Sequence, residues 1–279
     1  MKKRTTSYLI DVALDIEKYS AYDKGTIGYA PRIMTSMALP MRKSSSNEFI
    51  KINGHYKMSI ISPSEIGLPY GGLPRQLILF LTTQAILTQS NEIYCGKTIS
   101  ELAKILGKHS SGGENGSITA LKNQFRRLFT STIQWIKDTE GEWSIDTMNI
   151  SRSASMLWDP VNKNDWEGIV TLSEVFYEDI QLHATPIDLR VIDALSHYPM
   201  AIDIYCFLTS RYFNLYKPVL ISWLDLVDQS GCSYQKLSNF RKKYTEAATV
   251  VKALYPKAKF QFKDKGMLLY PSSCHVPSR

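Results

Sequence analysis

The chain has 279 residues, of which 44% are hydrophobic, 11% are aromatic and 21% are charged. This length and composition predict two folded domains and exclude a largely disordered chain, and no apolar run approaches the roughly 18–20 residues of a membrane-spanning helix. The formal net charge is +7, and it is concentrated late in the chain, where residues 185–279 carry 13 basic and 7 acidic side chains.

The first 65 residues predict an N-terminal arm that is partly irregular and poorly packed. A serine run and scattered glycines and prolines favour loops in this segment. A helix is expected around 9–19, and the stretch 49–61 fits a pair of strands that turns at Asn53 and Gly54.

Residues 66–184 predict the first of two domains. Apolar residues recur at the spacing of a helix face from Leu73 onward, and a short apolar run then indicates a strand. Thr98 and Glu101 have the spacing of a capping box, so a second helix is expected to begin there, and Gly107 is placed to end it in a left-handed conformation.

A long helix and a hairpin complete this first domain. The helix is expected from Ser117 to about residue 135, after a glycine-containing loop. Large apolar residues at alternating positions flank a polar turn at 137–142, which is the pattern of a β-hairpin. This order of elements is typical of a winged-helix domain: a helix, a strand, a capped short helix, a long helix and a hairpin.

The same order of elements returns in residues 185–279, which predict the second domain. The expected elements are helices at 187–195 and 201–215, a strand at 218–221, a short helix at 222–231, a long helix at 233–254 and a hairpin at 257–271. Ser222 and Asp225 have capping-box spacing, and Ser233 is the expected N-cap of the long helix. The predicted fold class is α+β, with two winged-helix domains in tandem behind the N-terminal arm.

The two long helices are the candidates for DNA recognition, because each combines an apolar face with a face of side chains that contact bases or phosphates. On the first helix these are Thr119, Lys122, Asn123, Arg126 and Arg127. On the second helix they are Gln235, Lys236, Ser238, Asn239, Arg241, Lys242 and Lys243. An ordinary solvated helix face contains the same residue types, so this alternative stays open for each residue.

The two predicted hairpins differ in charge. The second hairpin carries a single acidic side chain and three lysines suited to a DNA backbone or minor groove, Lys259, Lys263 and Lys265. The first carries one lysine and four acidic side chains that repel phosphate, Asp138, Glu140, Glu142 and Asp146. We therefore expect the second domain to read most of the DNA sequence, and the first to read DNA partially, to form a homodimer or to bind a host protein.

No catalytic residue, metal site or cofactor is expected. Residues 96–98 (GKT) resemble the end of a P-loop, but the first glycine of that motif is missing and Thr98 serves as an N-cap. The five histidines are isolated, and the four cysteines are too scattered for a zinc site or a disulfide framework: Cys95, Cys206, Cys232 and Cys274. Reduced structural thiols predict a cytoplasmic protein.

Several motifs together resemble the plasmid-encoded RepA replication initiator family. Together they cover roughly residues 66–277. The motifs lie at 67–75 (GLPYGGLPR), 79–85 (LFLTTQA), 102–106, 112–113, 123–129 (NQFRRLF), 157–160 (LWDP), 170–173 (VTLS), 199–205 (PMAIDIY) and 271–277 (PSSCHVP). Ala120 departs from the resemblance, because relatives are more basic at the start of the first recognition helix. This departure weakens the case for base reading by the first domain.

The resemblance implies a plasmid replication initiator with tandem winged-helix domains that binds repeated double-stranded DNA sites, called iterons, at a plasmid origin. It also implies that the protein represses its own promoter and recruits the host replication initiator and helicase machinery, in association with the plasmid and nucleoid. A winged-helix transcription regulator or a partition protein without a replication role is the alternative. An adaptor that binds protein rather than DNA is a third interpretation.

Overall fold

A computed structural model describes residues 6–36, 38–108, 111, 113, 116–156, 168–232, 234 and 236–277. The first elements are α1 (Thr6–Lys18), β1 (Ile27–Ala30), α2 (Arg32–Ser36), β2 (Glu48–Asn53) and β3 (Tyr56–Ile61). The predicted strand pair is confirmed, since β2 and β3 are antiparallel and turn through Gly54, whose φ is +59°. The expectation of a poorly packed arm was wrong, because Ile33 and Met34 of α2 are buried in the core.

The next group of elements agrees with the prediction for the first domain up to its long helix. They are α3 (Gly72–Thr88), β4 (Glu92–Tyr94), α4 (Ile99–Ile105) and α5 (Ser117–Thr130). The Thr98 hydroxyl caps α4 by accepting the Glu101 amide at 3.3 Å. The capping box is only half formed, because the Glu101 carboxylate accepts from the Lys97 amide at 2.6 Å instead of the amide of the cap residue. Gly107 follows with a φ of +66°, as predicted.

The hairpin after α5 belongs to a larger sheet than expected. It consists of β5 (Thr132–Thr139) and β6 (Glu142–Asn149), and the four-stranded order is β2-β3-β5-β6. The predicted helix end near residue 135 was wrong, because Ile133 and Trp135 are buried on β5 and pair with β3 and β6. The hairpin of the supposed arm therefore extends the hairpin of the first domain.

A separate small sheet contains the strand that precedes α4. Its strands are β4, β7 (Ser151–Ala154) and β8 (Ile169–Leu172), in the order β4-β8-β7. The helix α6 (Glu174–His183) follows, capped by the Ser173 hydroxyl, which accepts the Phe176 amide at 3.2 Å. In the first domain, β4 thus pairs with β8 and not with the β5–β6 hairpin.

The last group of elements follows the predicted order after an additional first strand, which includes residues 187 and 188 of the predicted helix at 187–195. It consists of β9 (Thr185–Asp188), α7 (Leu189–Ala194), α8 (Pro199–Phe213), β10 (Val219–Ser222), α9 (Trp223–Gln229), α10 (Leu237–Leu254), β11 (Phe260–Lys263) and β12 (Gly266–Leu269). The capping box of α9 is complete, with Ser222 and Asp225 each accepting the other's amide. The predicted start of the long helix at Ser233, which lies outside the described residues, was wrong, because α10 begins at Leu237. Its hairpin pairs with β10 in the order β10-β12-β11.

A buried ion pair joins the two groups of elements. Arg75 of α3 is fully buried and its guanidinium contacts both carboxylate oxygens of Asp203 on α8 at 2.7 Å. The same guanidinium donates to the carbonyl oxygens of Leu39, Pro40 and Gly71. A buried cation is stable only when its donors are paired, so the residues 39–41, α3 and α8 must keep their relative positions.

The first 65 residues contact both predicted domains. β1 pairs with β9, and the Lys51 ammonium on β2 donates to the Val227 and Cys232 carbonyl oxygens at 3.3 and 3.1 Å. The fold is thus mixed α+β with several small sheets, while the predicted boundaries at 65 and 184 stay predictions.

The four cysteines are free thiols. Within the described residues, no helix is long and apolar enough to cross a membrane.

Candidate nucleic-acid interface

Helix α10 exposes most of the predicted recognition residues. Its buried face consists of Phe240, Tyr244, Ala248, Val251 and Leu254, at the spacing of one side of a helix. The predicted contact residues on the other side are exposed, namely Lys236, Ser238, Asn239, Lys242 and Lys243. Leu237, the first residue of the helix, is 40% exposed. The predicted contact at Gln235 lies outside the described residues.

The β11–β12 hairpin is fixed to the start of α9 through one tryptophan. The Trp223 ring stacks on Phe262 with a centroid distance of 5.7 Å, and its indole N–H donates to the Lys263 carbonyl oxygen at 3.2 Å. The side chains of Lys259, Lys263 and Lys265 are exposed on this hairpin. Its backbone is therefore held while its lysines stay available to a partner.

A shallow groove separates α10 from this hairpin. It is lined on one side by Arg241 and Lys242 and on the other by Lys263, with Glu246 and Asp264 also present. The Arg241 guanidinium lies 5.0 Å from the centre of the Trp223 ring, a cation–π contact that orients it. The groove thus combines cations from two elements that are 20 or more residues apart in the chain.

Not every lysine near this groove is available to a partner. The Lys243 ammonium pairs with Glu246 at 2.8 Å, and this hydrogen bond raises the pKa of Lys243. The Lys252 ammonium donates to the carbonyl oxygens of Pro256 and Ala258 after the end of α10, so it stabilises the helix end instead. Burial lowers the pKa of Lys252.

Helix α5 presents a weaker set of candidates. Asn123 and Arg126 are exposed, whereas Thr119 and Lys122 are half-buried, and Thr119 donates to the Gly113 carbonyl oxygen at 2.8 Å. The Arg127 guanidinium donates to the Leu68 carbonyl oxygen at 3.0 Å and lies over the ring of Tyr70. The structure therefore gives Arg127 an intramolecular role, and its contact with DNA stays a prediction.

The loop before α3 depends on a residue that sequence reasoning missed. Gln124 is buried on α5 and its side-chain oxygen accepts the Tyr70 amide at 2.9 Å. A polar residue on the apolar face of the predicted helix is the one signal that could have indicated this role.

The β5–β6 hairpin has the opposite charge. Asp138, Glu140, Glu142 and Asp146 are exposed, and Lys137 forms an ion pair with Glu142. The hydrogen bond that the Lys137 ammonium donates to the Glu142 carboxylate raises the pKa of Lys137, which keeps the pair charged. This surface is anionic and does not suit a phosphate backbone.

The described residues contain no group of three or more His, Cys, Asp or Glu side chains that could hold a metal ion. Burial raises the pKa of the Cys95 thiol to about 12 and raises that of Cys206 further. A thiol with a raised pKa is a poor nucleophile, so these buried cysteines act as apolar core residues.

These features define an α+β protein that presents a cationic helix and hairpin on one surface and an anionic hairpin on another. A family model described as plasmid encoded RepA protein matches residues 68–223, more than half of the chain. The chain therefore belongs to the plasmid-encoded RepA family, as the motifs predicted. No curated protein sequence matches it.

Two solved structures align with most of this chain. The crystal structure of RctB domains 2-3 aligns with a TM-score of 0.50 and 13% identity, over 86% of this chain and 95% of that one. A structure of SeMet derivatives of the same two domains aligns with a TM-score of 0.49 and 13% identity, over 88% of this chain and 97% of that one. At such low identity the likeness concerns the fold alone.

Proposed function

We propose that this protein is a plasmid replication initiator that binds repeated double-stranded DNA sites at the origin of its plasmid. Membership of the plasmid-encoded RepA family supports the replication role. The observation that carries the DNA contact is the convergence of Arg241, Lys242 and Lys263 on one groove. Cations gathered in this way neutralise neighbouring phosphates and release their counterions.

The second domain is, in this proposal, a winged helix with α10 as its recognition helix. The order β10-β12-β11, with α9 and α10 between the first strand and the hairpin, supports this assignment. The first domain is a modified winged helix, since its strand β4 pairs with β8 instead of its own hairpin. The difference supports unequal roles for the two domains in binding DNA.

The mechanism we propose is binding without bond chemistry. The exposed start of α10 enters a major groove, where Asn239 and Lys242 pair with base edges. The β11–β12 hairpin follows the backbone through its lysines. Strain from binding then favours opening of a neighbouring AT-rich segment, and the host replication initiator and helicase are recruited there, in the cytoplasm.

Replacing Lys242 tests the interface most directly, because this side chain is exposed and lies beside Arg241, which the Trp223 ring holds in place. Lys242→Ala should weaken origin binding by about 1–3 kcal/mol if the lysine pairs with a base, or lower the salt slope by about 1 if it neutralises a phosphate. Titrations of origin DNA at several salt concentrations distinguish these two results. The matched control is Lys57→Ala, an exposed lysine on β3, which should bind as the unchanged protein does.

A plasmid assay separates the initiator from a transcription regulator or partition protein. The gene supplied in trans should allow an origin fragment to replicate, and the protein should repress a reporter fused to its own promoter. Repression without replication would support the transcription regulator. Absence of DNA binding at low salt would support the protein-binding adaptor.

A further inference from the structure

The β5–β6 hairpin carries an exposed aromatic ring among acidic side chains. Trp143 on β6 is 64% exposed, although burial of such a ring is strongly favourable. Asp138 lies directly across the ladder from it, and Glu140 and Glu142 are exposed beside it. An anionic surface with an apolar centre repels DNA and fits a cationic surface with an apolar recess.

A recess of this kind lies beside α10, next to the groove that Arg241 and Lys263 line, and Glu246 borders both. Its volume is ≈ 680 Å³, which is ample for an indole ring and its neighbours. The apolar wall includes Met41, Phe49, Met200 and Val250. The cationic residues along it are Arg42, Lys43 and Lys243, of which Lys243 pairs with Glu246. Arg42 and Lys43 are exposed, so their charges can meet incoming carboxylates.

We propose that the Trp143 hairpin of one copy of this chain docks into the α10 recess of a second copy. The indole fills the apolar recess while Asp138 and Glu140 meet Arg42 and Lys43. The complementarity in both charge and polarity lies within a single chain, which favours a second copy over an unrelated partner.

The hairpin cannot reach the recess of its own chain. Phe49 lines the recess from β2, at one edge of the four-stranded sheet, whereas Trp143 lies on β6 at the opposite edge. Three strand spacings separate these edges, a distance of roughly 14 Å. Docking within one chain would therefore require the sheet to break.

The contact is head-to-tail, because two different surfaces meet. Each copy keeps a free hairpin or a free recess, so contacts of this kind can continue along a row of copies. This part of the inference rests on the proposed function: repeated DNA sites would hold copies side by side and raise their effective concentration. The contact would then make binding to adjacent sites cooperative.

Removing the indole tests the contact without DNA. The full-length protein should self-associate in sedimentation equilibrium at low salt, and Trp143→Thr, which keeps a strand-forming residue, should weaken this association by about tenfold or more. Leu182→Ser is the matched control, because Leu182 on α6 is 78% exposed and lies outside both surfaces. It should associate as the unchanged protein does.

Exchanging charges tests the pairing of the two surfaces. Association should weaken in a variant with a cationic hairpin, Asp138→Lys with Glu140→Lys. It should also weaken in a variant with an anionic recess, Arg42→Glu with Lys43→Glu. A chain that carries all four changes should associate again. A mixture of Trp143→Thr with the Arg42→Glu, Lys43→Glu variant should form one-to-one pairs but no longer assemblies. A contact between identical surfaces would not give this pattern.

DNA with one or two sites separates this inference from the proposed function. Trp143→Thr should bind a single site with unchanged affinity and lose cooperativity on two adjacent sites. If the full-length protein bound no origin DNA, the proposed function would fail, and sedimentation without DNA would still test the contact. The contact is overturned if the full-length protein stays monomeric and binds two sites independently, or if Trp143→Thr and Leu182→Ser behave alike.

Discussion

Arg75 is a charged residue with no exposure to solvent, and its partner Asp203 is almost as buried. Because water is excluded, removing one partner leaves the other charge unpaired, a change that costs about 3–5 kcal/mol. We therefore predict that Asp203→Asn lowers the free energy of unfolding by an amount of this order, measured by urea denaturation.

The control for this substitution is Asp11→Asn, the same change at an exposed position on α1. Its effect should stay within about 0.5 kcal/mol, as for other surface substitutions. Equal losses in the two variants would mean that the buried pair does not stabilise the junction between α3 and α8.

His275 in the C-terminal segment makes stability depend on pH. Its Nδ1 lies 2.7 Å from the Tyr205 hydroxyl, which already accepts the Asp188 amide, and its ring stacks on Tyr255. Burial lowers the pKa of His275 to about 4 from its ordinary value of 6.5. The unfolded state therefore binds more protons between these values, so the stability that the neutral ring provides is complete above pH 6.5 and is lost as the pH falls toward 4.

We predict a loss of up to about 3 kcal/mol over this pH range, beyond the loss caused by carboxylate groups. His275→Phe keeps a ring against Tyr255 but cannot titrate. The difference in unfolding free energy between the two proteins should shrink from pH 7 to pH 4.5. A constant difference would show that folding does not lower the pKa of His275.

Single-residue roles were predictable where the partner is close in sequence. The Ser222 and Thr98 caps and the Gly107 stop follow from spacings of a few residues. Arg127 was assigned to DNA by its position on a polar helix face, but the carbonyl oxygen to which it donates, that of Leu68, is 59 positions away. Sequence periodicity contains no information about the distant partner in such a contact, so the backbone partners of Arg127 and Gln124 became visible only in the structure.

Among the elements, helices bounded by local signals were predicted better than those bounded by tertiary pairing. The end of α5 was misplaced because the apolar residues Ile133 and Trp135 fit a helix face as well as a strand. Pairing with β3 and β6 makes this segment a strand, and its partner β3 lies more than 70 positions earlier in the chain. The start of α10 was misplaced because Ser233 has the right chemistry for a cap, while the helix begins after Lys236.

The β11–β12 hairpin allows a prediction at the scale of an element. Lys263 and Lys265 are exposed on it, and their neighbour Trp223 holds the backbone through its indole N–H. Lys263→Ala with Lys265→Ala should reduce the slope of log affinity against log salt by about 1 for each phosphate that is no longer neutralised, with little change in base preference. Origin-binding titrations between low and physiological salt measure this slope.

Asp138→Ala with Glu140→Ala on the β5–β6 hairpin is the matched control for that element, measured on DNA with a single site so that contacts between copies do not contribute. These acidic side chains should contribute no phosphate contact, so the slope should not fall. A reduced slope in this variant, or an unchanged slope in the lysine variant, would contradict the assignment of the DNA-contacting hairpin.

For the whole molecule, the contacts between the predicted domains favour unfolding as one unit. β1 pairs with β9, Lys51 donates to two carbonyl oxygens around α9, and Arg75 contacts Asp203. We predict a single calorimetric transition whose enthalpy equals the van't Hoff enthalpy. The isolated segment 185–279 should melt at a lower temperature, because it lacks all three of these interactions.

Two separated transitions, or an isolated segment as stable as the full chain, would contradict this prediction and would favour independent domains.

The repeated order of elements was visible in the sequence, because each copy is built from local signals. The insertion of the β2–β3 hairpin beside β5, and the contacts that join the copies, involve residues far apart in the chain. They could not be read from spacing.

The opposite charges of the two hairpins have a kinetic consequence. They lie in separate sheets, and we expect their opposite charges to give the molecule an electric dipole in addition to its net charge. In the field of a polyanion, the resulting torque would turn the molecule so that its lysine-bearing hairpin approaches first. Ions in solution shorten the range of this torque, so encounters at high ionic strength would begin in random orientations and fewer of them would be productive.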